Sequence, residues 1–109
     1  MRSSADFALT VRRGGRAGRT TLVVHCRPGQ GGSTHVGFVV ARSVGGAVVR
    51  NRVKRRLRSV VVDQREMLPQ GVDVVVRALP AAAHATYGEL ASDLTSALAA
   101  AVRRAKPLP

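Results

Sequence analysis

Nine consecutive residues, Arg50 to Arg58, carry the clearest chemistry in this sequence. Six of the nine are arginine or lysine, and no acidic residue is interleaved with them. Guanidinium and ammonium groups bind phosphate oxygens, and arginine can do so through two parallel hydrogen bonds. An ordinary solvated helix usually carries balancing glutamates. The segment therefore predicts a surface that binds a polyanion, and the alternative interpretation is a basic face that is merely solvated.

Residues that perform acid–base, nucleophilic or metal chemistry are scattered along the chain. None of the three histidines has metal-ligand spacing with the only cysteine, Cys26. Glu89 and Asp93 are one helical turn apart and could approach a Mg²⁺ ion. Acids in the first turns of a helix are more often explained by the helix dipole. The sequence thus predicts neither catalytic residues nor a metal site in the polypeptide.

The basic segment must lie on a helix that is anchored by its apolar side. At about 100° per residue, four apolar side chains fall on one narrow stripe with cations on both sides. A helix is predicted from about Ala47 to Met67, ended by Pro69 and Gly71. Its stripe consists of Val49, Val53, Leu57 and Val60.

Three segments have the composition of β-strands. Apolar residues alternate in Thr20–Arg27 and in Thr34–Arg42, and a glycine-rich turn at residues 28–33 separates the two. These two strands are predicted to form an antiparallel hairpin. The third segment, Val72–Ala78, has consecutive valines that suggest burial on both faces. Because the basic helix joins the second and third strands, a βαβ crossover is expected.

Helices are predicted at both ends of the chain. The first runs from about Ser3 to Arg13, and the last begins at a capping-box pattern formed by Thr86 and Glu89. Between the first helix and the first strand, Arg13–Arg19 consists mainly of glycine and arginine. Two interpretations stay open for this segment: a flexible basic loop, or a segment of the RGG type that binds RNA.

The composition supports a folded, nucleic-acid-binding protein. The 109 residues suffice for one domain, residues 1–109, and 45% of them are hydrophobic. Eighteen basic residues against six acidic ones give a net charge of +12, which favours RNA or DNA as partner. No apolar run approaches the roughly 20 residues of a membrane span. Together with the single cysteine, the absence of a signal peptide predicts a cytoplasmic protein without a membrane partner.

The run from Val36 to Arg58 resembles the signature of the bacterial ribonuclease P protein subunit. The specific part of the motif is Ala47-Val48-Val49-Arg50-Asn51-Arg52-Val53-Lys54-Arg55-Arg56-Leu57-Arg58. The resemblance extends over nearly the whole chain through Asp6-Phe7, the valine-rich strand after Asp73, Pro80 and Tyr87. It implies a two-layer α/β (α+β) sandwich in the order α-β-β-β-α-β-α. In that fold the βαβ crossover that carries the basic helix is left-handed.

The resemblance also implies a function. The family's RNA subunit performs a Mg²⁺-dependent hydrolysis that releases the mature 5′ end of transfer RNA, and most of the metal is bound by RNA. The protein subunit, expected in a 1:1 complex, grips that RNA and holds the 5′ leader of precursor tRNA in a cleft between the first helix and the sheet. Endonucleolytic cleavage would then be an activity of the ribonucleoprotein and not of this polypeptide alone.

Carried over by motif, the RNA-binding residues are Arg42, Arg50, Asn51, Arg52, Lys54, Arg55, Arg56 and Arg58. The cleft for the precursor leader would include Phe7, Val11 and Val24. Many members have an aromatic residue where this chain has Val11, and a tyrosine where it has Val24. Leader binding is therefore expected to depend less on stacking and more on charge.

Two other functions compete with this interpretation. A small ribosomal protein would share the composition but would not stimulate cleavage of precursor tRNA by the bare RNA subunit at low Mg²⁺. An independent protein nuclease would cleave without any RNA subunit, and it would need the clustered acids, bases or metal ligands that the sequence lacks.

Overall fold

The computed structural model describes the backbone of residues 4–29 and 32–105, and the side chains of residues 9–29 and 32–105. Within these residues the element order is the predicted α-β-β-β-α-β-α. The elements are α1 Ser4–Arg13, β1 Gly15–Gly18, β2 Leu22–Pro28, β3 His35–Val39, α2 Ala47–Asp63, β4 Val72–Ala78 and α3 Tyr87–Arg104. Single 3₁₀ turns at Arg42–Val44, Arg65–Met67 and Pro80–His84 join them. Ser3, where the first helix was predicted to begin, and part of the turn at residues 28–33 lie outside the described residues.

The four strands form one mixed sheet in the order β1-β2-β4-β3. Neighbours β1 and β2, and also β2 and β4, are antiparallel, whereas β3 and β4 are parallel. The parallel pair joined by α2 confirms the predicted βαβ crossover, whose handedness stays a prediction. The predicted hairpin of β2 and β3 is wrong, because β4 lies between them. Alternation of apolar residues identifies a strand but not its partner, and the strand buried on both faces takes a central place.

Helices α2 and α3 cover one face of the sheet and enclose the main core. The alternate residues Leu22, Val24 and Cys26 of β2 point into this core, together with Val74 and Val76 of β4. Helix α2 adds Val53, Leu57 and Val60, while α3 adds Leu90, Leu94 and Leu98. Helix α1 packs against β2 and β4. It lies on the opposite face, where the Thr10 hydroxyl accepts a hydrogen bond from Nε of Arg27 at 3.0 Å.

The segment Gly15–Gly18, predicted as a break, is an edge strand. Its backbone pairs with β2 from Gly15 opposite Cys26 to Gly18 opposite Val23. Glycine is needed at the first position because a Cβ on Gly15 would collide with the backbone of α3. Nη1 of Arg104 donates to the Arg16 carbonyl at 2.8 Å. Helix α3 therefore holds β1 in place although glycine and arginine have little intrinsic preference for strands.

The last helix begins as its capping pattern predicts. The Thr86 hydroxyl accepts a hydrogen bond from the Glu89 amide at 3.1 Å, and the Glu89 carboxylate accepts one from the Thr86 amide at 2.9 Å. Asp93, one turn later, accepts from both the amide and the hydroxyl of Thr21. Both acids therefore accept hydrogen bonds that hold the start of α3 in place.

Candidate nucleic-acid interface

Helix α2 presents its cations because its apolar stripe is buried. Val53, Leu57 and Val60 are completely buried, and Val49 is half-buried against the same core. This fixes the rotation of the helix, so that all six of its cations lie on the flanks or on the outer side. Among the described residues, none of the six forms an ion pair with an acid. Apart from Asp63 at its end, the helix is a source of uncompensated positive charge.

One flank of α2 faces Val40, which directly follows β3. Arg50, Asn51 and Lys54 line a depression whose floor is formed by Val40 and Ala47. Nε of Arg50 is buried and has no hydrogen-bond partner in the described structure. Cationic and amide donors around one concavity suit phosphate oxygens, since each donor can be satisfied by an oxygen of the ligand.

The opposite flank of α2 holds the connection to α3. Nη2 of Arg52 donates to the Ala83 carbonyl at 3.0 Å, and Nη1 of Arg56 donates to the Ala85 carbonyl at 3.1 Å. Both carbonyls belong to the segment between β4 and α3, at or just after the 3₁₀ turn Pro80–His84. These two arginines therefore clamp the connection against the helix, a role that the spacing of the sequence did not indicate.

The outer side of α2 is fully available to a partner. Asn51, Arg55 and Arg58 are exposed, and Arg42 is exposed in the 3₁₀ turn that precedes the helix. Val48 projects from the first turn with 80% of its surface accessible. An apolar side chain among exposed cations offers contact to the sugar or base surface between phosphates.

The N-terminus of α2 strengthens the attraction for anions. The first turn contains no acidic residue, and no side chain caps the N-terminal amides at Gly46. Free amides and the helix dipole add positive potential to that of Arg50 and Arg42. The close approach of the chain requires glycine at position 45, since a Cβ there would lie 2.8 Å from Cγ1 of Val49. The structure thus brings the predicted RNA-binding residues onto one continuous surface, with Arg52 and Arg56 partly engaged at its border.

The predicted leader cleft lies on the α1 face of the sheet. The Phe7 side chain lies outside the described residues, and Val11 is half-buried on α1. The placement of Val24 in this cleft is wrong: it is completely buried on the other face, in the core shared with α2 and α3. Successive residues of a strand point to opposite faces, so His25 lies on the α1 face instead. The resemblance assigned Val24 to the cleft by position, and the alternation of apolar residues along β2 did not indicate which face α1 would cover.

His25 gives the α1 face an unusual polar group. It is 2% exposed, and neither ring nitrogen has a hydrogen-bond partner in the described structure. Its pKa is lowered from 6.5 by burial first and then by the positive charges of Arg77 and Arg16. Arg16 is directly opposite His25 in β1, and Arg77 is opposite Val23 on the same face. This face is therefore cationic even while His25 is neutral.

Other reactive groups have structural surroundings. Cys26 is buried, and burial with the nearby Asp73 charge raises its pKa to about 11. Tyr87 donates to the Asp63 carboxylate at 2.6 Å, which raises the pKa of the phenol. In the described residues no three of the histidine, cysteine and acidic side chains form a group suited to a metal ion. None of the described helices is both long enough and apolar enough to cross a bilayer.

Comparison with known proteins identifies relatives over almost the full chain. The sequence profile of Ribonuclease P matches residues 1–102. The ribonuclease P protein component of Kocuria rhizophila is 54% identical over 104 residues, covering 95% of this chain and 92% of that protein. The component from Streptomyces bikiniensis is 54% identical over 107 residues, covering 90% and 87%.

Solved structures of RNase P proteins have the same fold as this chain. The RNase P protein of Thermotoga maritima superposes with a TM-score of 0.78 at 25% identity, covering 88% of this chain and 91% of that one. The Staphylococcus aureus RNase P protein shares the fold, with a TM-score of 0.81 at 23% identity over 91% of both chains. On the profile match and the close relatives, the chain belongs to the ribonuclease P protein family.

Proposed function

We propose that this chain is the protein subunit of a ribonucleoprotein ribonuclease P that removes the 5′ leader from precursor tRNA. In this proposal the polypeptide binds and positions RNA, and the RNA subunit hydrolyses the phosphodiester bond. The observation that carries the proposal is the surface of α2, where six cations on one anchored helix lack acidic partners in the described structure. Such a surface supplies affinity for phosphates through counterion release.

The two faces of the molecule are proposed to bind different RNAs. The surface formed by α2 and Arg42 contacts the RNA subunit, because it is cationic and includes a helix N-terminus without a side-chain cap. The α1 face holds the leader, where Arg16 and Arg77 provide positive charge, and Phe7, whose role is carried over from the family motif, would stack on a base. A basic groove with a stacking platform suits single-stranded RNA of any sequence.

The Mg²⁺ ions that the hydrolysis needs are proposed to be bound mainly by the RNA subunit, as in the family that this chain resembles. With eighteen basic and six acidic residues, the polypeptide repels free divalent cations and attracts the phosphates that hold them. When bound there, Mg²⁺ would activate a water and stabilise the leaving oxygen. The polypeptide would contribute by lowering the repulsion between the two RNAs, so that less Mg²⁺ is required.

We place the complex in the cytoplasm with one protein per RNA subunit. One binding helix on a small chain supports a 1:1 assembly, and the single buried Cys26 is compatible with a reducing compartment. Mass measurement of the reconstituted particle tests the stoichiometry. Two proteins per RNA at saturating concentrations would contradict it.

Reconstitution with the cognate RNA subunit tests the function. Cleavage of precursor tRNA is measured at low Mg²⁺ with the RNA alone, with the protein alone and with both. We expect cleavage only, or much faster, with both components. Cleavage by the protein alone would indicate a protein nuclease, and no stimulation of the RNA would indicate a different RNA-binding role, such as that of a ribosomal protein.

A further inference from the structure

A buried carboxylate links helix α1 to three strands of the sheet. Asp73 is 5% exposed, although a carboxylate loses strong hydration when it is buried. Its Oδ2 lies 3.1 Å from Nη2 of Arg27, and its Oδ1 lies 3.4 Å from Nδ1 of His35. Arg27 of β2 and His35 of β3 are the direct cross-strand neighbours of Asp73 in β4. One carboxylate therefore joins the three strands on the α1 face.

The same arginine extends this link to the helix. While Nη2 of Arg27 contacts Asp73, its Nε donates to the hydroxyl of Thr10 at 3.0 Å. Thr10 is completely buried, and the Arg27 side chain is only 12% exposed. The guanidinium is planar and rigid, so its two donors fix the angle between the strand and the helix. A shift of α1 along the sheet would break either the Thr10 bond or the Asp73 contact.

Packed apolar side chains at this position would avoid the desolvation free energy that a buried ion pair costs. Replacement of such pairs by packed hydrophobic residues is often neutral or stabilising, so the pair itself is weak evidence for stability. What the pair supplies here is direction, because hydrogen bonds depend on angle and hydrophobic contacts do not. The Thr10–Arg27–Asp73 link thus restrains α1 in a direction that apolar packing against β2 and β4 does not specify.

We infer that Thr10, Arg27 and Asp73 are positioning residues that fix α1 over the sheet and thereby set the geometry of the leader cleft. The inference rests on the proposed function, in which the leader lies between α1 and the sheet. None of the three belongs to the surface of α2 that is proposed to contact the RNA subunit. Loss of the link should therefore affect recognition of the leader and spare assembly of the complex.

The test compares two buried threonine hydroxyls on opposite sides of the sheet. Thr10→Val removes the hydrogen bond to Arg27. Thr21→Val is the matched control, because Thr21 is 4% exposed and its hydroxyl donates to Asp93 of α3 at 2.7 Å, away from α1. Each variant is reconstituted with the RNA subunit. Dissociation constants are measured for precursor tRNA and for mature tRNA, and their ratio is the leader gain.

For Thr10→Val the leader gain should fall about fivefold, the equivalent of one hydrogen bond of ordinary strength. Affinity for the RNA subunit should stay within about twofold, and Thr21→Val should keep the leader gain of the wild type. Should Thr10→Val fail to fold, Arg27→Lys serves instead, since lysine keeps the charge beside Asp73 but has a single nitrogen in place of the Nε and Nη2 that contact Thr10 and Asp73 separately. The same fall is expected from it.

The outcomes distinguish failure of the proposed function from failure of the positioning role alone. A wild-type complex without any leader gain would contradict the proposed function and this inference with it. If the wild type shows a leader gain that the Thr10 and Arg27 variants retain, or that Thr21→Val loses equally, only the positioning role is overturned.

Discussion

Two arginines of α2 that are three residues apart should respond differently to the same substitution. Arg52 donates to the Ala83 carbonyl at 3.0 Å and so supports the fold as well as the interface. Arg55 is exposed on the outer side of the same helix and makes no hydrogen bond or ion pair in the described structure. Arg52→Ala therefore removes a charge and a tertiary bond, whereas Arg55→Ala removes a charge only.

The two effects have different sizes and different assays. A half-buried hydrogen bond of this kind contributes about 1 kcal/mol to the free energy of unfolding. For a chain of 109 residues, that loss lowers the melting temperature by about 4 °C. Loss of one phosphate contact reduces the slope of log K against log salt by roughly 0.7 to 0.9. When salt is raised from 50 to 200 mM, affinity for the RNA subunit should therefore fall about threefold less in such a variant than in the wild type.

Thermal unfolding of the free protein and binding to the RNA subunit at several salt concentrations measure both effects. Arg52→Ala should lower the melting temperature and the salt slope. Arg55→Ala should lower the slope alone, and Arg50→Ala should do the same because Arg50 makes no hydrogen bond in the described structure. Equal melting temperatures for all three variants would refute the clamp. Unchanged affinity and slope for Arg50→Ala and Arg52→Ala would refute the assignment of the helix to RNA binding.

Four shorter predictions concern single sites. Gly45→Ala should destabilise the protein by about 1–3 kcal/mol, because the new Cβ would lie 2.8 Å from Val49; an unchanged melting temperature would contradict this. Since burial lowers the pKa of His25, the unfolded chain binds the proton more readily and stability should fall below about pH 6.5. Denaturant unfolding at pH 7.5 and 5.5 should show a smaller pH effect in His25→Val, and an equal effect would exclude His25 as its source. The Cys26 thiol, with a pKa of about 11, should resist alkylation at pH 8 until the protein is unfolded, and rapid labelling of native protein would disagree. Phe7→Ala should weaken binding of precursor tRNA far more than binding of mature tRNA, and equal losses would argue against a stacking role for Phe7.

Elements with strong local signals could be predicted from the sequence to within a residue or two. Strand β4 has the predicted bounds Val72–Ala78, because a run of valines is enclosed by a turn and a proline. Helix α3 begins after Thr86 because the capping box is a local interaction of four residues. Helix α2 was predicted to reach Met67, and its last turn is instead a separate 3₁₀ turn at Arg65–Met67.

What depends on distant partners could not be predicted. Strand β1 forms because the backbone of α3 packs against Gly15 and because Arg104 donates a hydrogen bond to the Arg16 carbonyl. The glycine- and arginine-rich sequence of β1 indicates neither contact. The pairing of β2 with β4 depends on burial of β4 at the centre of the sheet, and the sequence of the turn after β2 does not indicate it. For the same reason, local pattern overlooked β1 and assigned β2 to the wrong neighbour.

In the candidate site, too, local features could be predicted and distant contacts could not. The helix stripe located the cations correctly, since the burial of Val53 and Leu57 sets the rotation of α2. The hydrogen-bond partner of Arg52, the Ala83 carbonyl, lies thirty-one residues away and could not be inferred from spacing. Val24 was assigned to the leader cleft by the family resemblance alone, and the structure places it in the core shared with α2 and α3. The alternation along β2 separates its two faces, but it does not show which face α1 covers.

In the proposed ribonucleoprotein the polypeptide binds RNA, and the RNA subunit breaks the phosphodiester bond. The most direct measurement is the single-turnover rate of precursor tRNA cleavage at low Mg²⁺, with nuclease-treated protein, with RNA subunit, and with the two combined. We predict no cleavage by the protein, slow cleavage by the RNA and a large increase for the complex. Cleavage by the RNA-free protein, or a complex no faster than its RNA, would contradict the account.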